Sequence, residues 1–143
     1  MKVVINDCYG GFSLSKEGMT RYLERKGIKT WVEDDIRYKS MGLFTVFTVP
    51  PEERLITKEG KEFYEMTQDE RIAYNKAYSE QTLYDRDVPR DDPILVQLVE
   101  EDSEAMSGRC ANLKVVEIPD DVEWEIEEYD GSEWVAEKHR TWC

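Results

Sequence analysis

One histidine, three cysteines and five prolines are all that this chain of 143 residues carries of those types. A single histidine leaves little room for imidazole acid–base relays. The cysteines, Cys8, Cys110 and Cys143, are odd in number and lack a C-x-x-C pair, so free thiols in a reducing compartment are expected rather than a disulfide framework. No apolar run approaches the ~18 residues of a membrane-spanning helix. The apolar start at Val3-Val4-Ile5 is too short for a signal peptide, so a cytoplasmic protein is the expectation. The sequence also lacks G-x-x-x-x-G-K, G-x-G-x-x-G, H-E-x-x-H and G-x-S-x-G. Carboxylates abound, yet no pair of them stands out, and an enzyme is not expected.

What is present is acid. Thirty-two Asp and Glu face 19 Lys and Arg, a net charge of -13. Such a surface repels phosphate backbones, so no direct nucleic-acid contact is expected, and it attracts a cationic partner. Hydrophobic residues still make up 40% of the chain and fall in periodic runs, enough for a core. The length fits one domain, 1–143, with the polar stretch 50–66 as a candidate insertion.

The pattern reads as follows. Val3 to Asn6 is a buried strand. Ser13 or Ser15 caps a helix carrying Met19, Tyr22 and Leu23 on one face, stopped by Gly27. Ile28 to Val32 and Leu43 to Val49 are strands, with a short one at Leu55 to Thr57. Thr67 and Glu70 form a capping box for a helix with Ile72, Ala73, Ala77 and Tyr78 inward. Asp92-Pro93 opens a helix with Leu95, Leu98, Val99 and Met106 inward, ending at Gly108. Leu113 to Ile118 is a strand. Val122, Trp124 and Ile126 alternate with Glu123, Glu125 and Glu127, giving a strand with one wet face. Asp130-Gly131 turns it into a strand from Ser132 to Trp142. The order β-α-β-β-α-α-β-β-β predicts an α+β fold, mostly antiparallel, with helices on one face of the sheet.

Four constellations are candidates for function. The first is the loop Asn6 to Ser15. Gly10 and Gly11 follow a strand and precede a helix, so backbone N–H groups and a helix start converge there, with Tyr9 and Phe12 available to stack. Asn6, Cys8, Tyr9, Gly10, Gly11, Phe12, Ser13 and Ser15 are its candidate ligand residues; the plainer alternative is a tight turn with core aromatics. The second is the charged loop Tyr84 to Asp92, with Arg90 and Asp91, alternatively a solvated loop and helix cap. The third is the tail, where Arg140 forks to phosphate and Trp142 stacks, alternatively an edge strand. The fourth is a zinc site from Cys8, Cys110, His139 and Cys143, disfavoured because half of the usual ligand spacing is missing.

The opening Val4-Ile5-Asn6-Asp7-Cys8-Tyr9-Gly10-Gly11-Phe12-Ser13-Leu14-Ser15 resembles a family of small uncharacterised phage and prophage proteins. So do Arg90-Asp91-Asp92-Pro93, Gly108-Arg109-Cys110-Ala111, Leu113 to Pro119, and Ile126 to Gly131 continuing through Trp142. The resemblance covers both ends, while the middle, Asp34 to Thr82, is variable in that family. The chain departs from the pattern at Glu101-Asp102-Ser103 and at Cys143. The resemblance implies a protein of the host bacterial cytoplasm with a counter-defence role, acting by binding.

Two forms of that role are open. The leading one captures a nucleotide-like small-molecule signal in the Tyr9-to-Ser15 loop, with Arg90 and Arg140 on its phosphates. The alternative is an acidic inhibitor that occludes the basic groove of a host defence nuclease. Exposed strand edges allow a homo-oligomer without requiring one.

Overall fold

The computed structural model describes residues 1–35, 42–54 and 62–138. The fold is α+β, and every strand pairing among the described residues is antiparallel. The chain divides into two compact units, Met1–Ile28 with Asp85–Cys143, and Lys29–Tyr84. The stretch 50–66 lies inside the second.

In the first unit, β1 (Lys2–Asn6) buries Val3, Val4, Ile5 and Asn6 in succession. A run with no alternation means that both faces of the strand are covered. One edge of β1 pairs with β5 (Leu113–Glu117), Val4 opposite Val115. On the other edge, the Val4 N–H donates to the Arg90 carbonyl at 2.8 Å.

Helix α1 (Lys16–Lys26) starts at Ser15, whose hydroxyl accepts from the Gly18 N–H at 2.9 Å. It buries Met19, Tyr22 and Leu23, as the spacing predicts. Gly27 ends it in the left-handed region, φ 74°, and the Ile28 N–H turns back to the Leu23 carbonyl. That cap consumes Ile28, so β2 begins only at Trp31 rather than at Ile28. Helix α3 (Pro93–Glu101) starts at Asp92, whose carboxylate accepts from the Ile94 and Leu95 N–H groups. The single helix expected through Met106 is instead two. Asp102 adopts an extended φ of -158° and caps a new short helix, α4 (Ser103–Met106), by accepting from the Ala105 N–H. Helix α3 packs on β1 and β5, α4 packs on β5, and α1 packs on α3 and α4. Gly18 allows that last contact: a Cβ there would lie 2.7 Å from the Met106 carbonyl oxygen.

Strands β6 (Trp124–Tyr129) and β7 (Ser132–Glu137) form a hairpin with Ile126 opposite Val135 and Glu127 opposite Trp134. Asp130 and Gly131 make its turn with φ of 52° and 89°, both left-handed as a two-residue hairpin turn requires.

In the second unit, β2 (Trp31–Asp34), β3 (Phe44–Phe47) and β4 (Thr82–Leu83) form a sheet in the order β2-β3-β4. The two-residue β4 was not foreseen, and the strand expected at Leu55 to Thr57 lies outside the described residues. Helix α2 (Gln68–Glu80) begins at Thr67, which accepts from the Glu70 N–H. Its less exposed face is Glu70, Arg71, Tyr74, Ala77 and Tyr78, while Ile72 and Ala73 are exposed, contrary to the apolar-stripe reading. The tyrosines decide the orientation. Tyr78 meets Phe47 edge-on at 6.2 Å and Tyr74 at 6.1 Å, and its hydroxyl bonds with that of Thr45.

Candidate functional site

Three segments of the first unit meet at the end of β1: the loop after Asn6, the loop before β5, and the turn of the β6–β7 hairpin. Asn6 joins them. It is fully buried, and its side-chain amide donates to the carbonyls of Cys8 and Gly131 at 2.6 and 2.8 Å. Its side-chain oxygen accepts from the Asn112 N–H at 2.9 Å. Both N–H donors and the oxygen of the amide are therefore used within the chain.

Gly10 and Gly11 have φ of 141° and 90°, which favours glycine at both. Packing adds a second reason. A Cβ on Gly10 would lie 2.5 Å from the Cys110 carbonyl oxygen, and one on Gly131 would lie 2.3 Å from the Gly11 nitrogen and 2.7 Å from the Gly10 nitrogen. The hairpin turn thus rests directly on the two glycine amides that the sequence offers as an anion cradle. Four other amides between Asn6 and Ser15 have partners within the chain. Asn6 N–H donates to Glu133, Asp7 N–H to the Asn112 carbonyl, Leu14 N–H to the Asp85 carboxylate and Ser15 N–H to the Met106 carbonyl.

Arg90 is equally engaged. Its guanidinium donates to both carboxylate oxygens of Glu133, at 2.7 and 2.9 Å, and to the Val4 carbonyl. It also lies 3.5 Å from the centre of the Phe12 ring. Phe12 is half-buried beneath it, whereas Tyr9 is 68% exposed. Ser13 lies tightly against Gly108, and Ser15 is the helix cap. Asp91 is exposed on a shallow groove of about 480 Å³ with Met1, Lys2, Pro93, Val96, Gln97 and Glu100, where Lys2 is paired to Glu100. Arg140, Trp142, His139 and Cys143 lie outside the described residues. Cys8 and Cys110 are free thiols, and among the described residues no group of three or more His, Cys, Asp or Glu could hold a metal ion. Nor, among them, is any helix long and apolar enough to cross a membrane.

A second buried polar cluster caps α3. Asp92 accepts from Lys26 at 2.9 Å and from the Tyr22 hydroxyl at 2.8 Å, besides its two backbone donors. Burial works to raise the Asp92 pKa, but the hydrogen bonds from Lys26, Tyr22, Ile94 and Leu95 outweigh it and hold the carboxyl below its usual value. Tyr22 is pushed far up, first by its own burial and then by the Asp92 carboxylate. Both groups are committed to structure.

The outward face of the hairpin is open to a partner. Successive residues point to opposite sides of a strand, and the side carrying Glu133 is turned toward β1. The other side carries Glu125, Glu127 and Tyr129 on β6, and Ser132, Trp134 and Ala136 on β7. Tyr129 is 72% and Trp134 45% exposed. The charge here is of one sign. From Val115 to Glu137 there is no Lys or Arg, and ten carboxylates: Glu117, Asp120, Asp121, Glu123, Glu125, Glu127, Glu128, Asp130, Glu133 and Glu137.

Comparison with protein-family models, with curated proteins and with solved structures gives no match. The functional reading therefore stands on the geometry.

The sequence reading singled out Asn6, the glycines and Arg90, and the structure brings all of them together at one junction. It missed Glu133 and Asn112, which hold that junction. Glu133 is one of ten carboxylates between Val115 and Glu137, and only its place opposite Glu128 in the hairpin, on the side turned to Arg90, sets it apart. Nor were Tyr129 and Trp134 singled out, although the alternation of Glu123, Glu125 and Glu127 carried two residues further puts Tyr129 on the same wet face.

Proposed function

We propose that this is a phage-encoded counter-defence protein that acts by binding, and that the β6–β7 hairpin is its binding face, offered to the basic nucleic-acid-binding groove of a host defence nuclease. The observation that carries this reading is the stretch Val115 to Glu137, with ten carboxylates and no Lys or Arg, part of which forms an exposed sheet face. Such a face attracts a groove built for phosphates and rejects nucleic acid itself. The phage setting comes from the sequence resemblance and is part of the proposal.

The test is capture of partners from host lysate on immobilised protein across a salt gradient. Retention at ~0.1 M salt and release toward ~1 M is expected, because the screening length falls from about 10 to about 3 Å over that range. The double variant Glu125→Lys, Glu127→Lys should capture nothing. An empty column, or capture indifferent to salt, counts against the reading.

A second reading is kept by one observation, the exposed Tyr9 ring beside two glycines in the left-handed region. It is a nucleotide-like ligand stacked on Tyr9. The geometry supports it less well, because Arg90 is bound by Glu133 and the hairpin turn packs closely against the Gly10 and Gly11 nitrogens. A thermal-shift screen with cyclic nucleotides decides it: a ligand that binds only the folded protein raises the melting temperature, and no shift at saturating dose removes this reading.

A further inference from the structure

Resting on the acidic-face reading above, we propose that the outward face of the β6–β7 hairpin recognises arginine rather than positive charge in general, so that its partner is a protein surface presenting arginine side chains.

Among the described residues, two guanidinium groups are held between an aromatic ring and a glutamate. Arg90 lies 3.5 Å from the centre of Phe12 and bonds both oxygens of Glu133. Arg54 lies 3.5 Å from the centre of Phe47 and pairs with Glu33 at 2.5 Å. The outward face presents the same pair of receptors without the cation. Glu127 and Trp134 are directly opposite in the register, and the indole N–H donates to the Glu127 carboxylate at 3.0 Å. That bond orients the ring and holds a carboxylate at its edge. Tyr129 stands diagonally across from Trp134, and Glu125 continues the same side. Among the described residues no cation lies over either Trp134 or Tyr129.

Arginine suits such a face better than lysine. Its guanidinium is planar and weakly hydrated, so it stacks on a ring while its edge donates to a neighbouring carboxylate. A lysine ammonium is compact and strongly hydrated, and gains less from the ring. Net charge alone does not distinguish the two, whereas an exposed indole beside a carboxylate does.

The experiment measures binding of labelled oligo-arginine and oligo-lysine peptides of equal length to the full-length protein by fluorescence anisotropy. Oligo-arginine should bind roughly two- to five-fold tighter for each ring engaged. Trp134→Ala should reduce that preference toward unity, and Trp134→Phe should keep most of it, which separates loss of the ring from loss of the hydrogen bond to Glu127. Thermal melts of each variant confirm that the hairpin is intact. Equal affinity for the two peptides, or a preference untouched by both Trp134→Ala and Tyr129→Ala, overturns the inference and leaves the acidic-face reading standing. Failure of both peptides to bind at low salt removes this inference and the acidic-face reading together.

Discussion

Arg90 and Glu133 face each other in a two-pronged ion pair, 2.7 and 2.9 Å long, with the carboxylate only 8% exposed. Through it the hairpin is fastened to the edge of β1, because Glu133 also accepts from the Asn6 N–H and Arg90 donates to the Val4 carbonyl.

Removing either partner strands the other. Arg90→Ala is expected to cost about 3 kcal/mol, near the lower end for a buried pair because the arginine keeps some contact with water. Glu133→Ala should cost at least as much, since it also leaves the Asn6 N–H without its acceptor. Urea denaturation of both single variants and the double variant measures this, and the double should fall well short of the sum. Losses below ~1 kcal/mol in both singles would show the pair to be ornamental.

Asn6→Asp is nearly isosteric and is predicted to be severe. It removes two donated hydrogen bonds and sets a carboxylate against the carbonyls of Cys8 and Gly131. A loss of roughly 3 kcal/mol in urea denaturation is expected, although the Asn112 N–H keeps an oxygen acceptor. A loss below ~1 kcal/mol contradicts this assignment.

Two glycines in similar backbone conformation should respond differently to alanine. At Gly27, φ 74°, nothing lies within 4 Å of the added methyl, so only the left-handed strain remains, about 1 kcal/mol. At Gly131, φ 89°, the methyl meets the Gly11 nitrogen at 2.3 Å, and the hairpin must lift from the loop. The cost should exceed that at Gly27 by about 2 kcal/mol. Equal melting temperatures for the two variants would refute the close approach.

Stability should fall in acid partly through Asp92. Its pKa is lowered on folding, so its contribution is present above the unfolded value of 3.8 and is lost as pH drops through the lower, folded one. Tyr22 has the opposite sign. Its pKa is raised from 10.0, so its contribution is full below that pH and declines in more alkaline solution. Asp92→Asn should be less stable at neutral pH and should show a flatter decline below about pH 4. Parallel pH profiles for the two proteins would exclude the assignment.

Much of this fold is legible in the residues. Val3 to Ile5, the Ser15 and Thr67 caps, the Asp92-Pro93 start and the Asp130-Gly131 turn each announce their element through local chemistry. Local chemistry also misleads in places. Asp102 ends one helix and starts another because its side chain caps, a choice that the apolar spacing through Met106 conceals. Ile72 is 59% exposed because tyrosines, not aliphatic residues, choose the packed face of α2. At the candidate site, the glycines and Arg90 were visible, but their partners were not. Glu133 is separated from Arg90 by 43 positions and from Asn6 by 127, and no local pattern reports a pairing at such range.

The interruption of the first unit by Lys29–Tyr84 also sets a timetable. On a ribosome, β1 emerges before β5 and cannot acquire that neighbour until more than a hundred further residues have been made. The intervening segment is complete well before then. Native pairing of β1 is therefore delayed by synthesis itself, while a newly made Val3-Val4-Ile5 stays exposed and prone to sticking elsewhere. Because closing a longer loop adds only about 0.6 kcal/mol for each doubling, that middle passage is free to lengthen or shrink over generations with little harm to the part that encloses it.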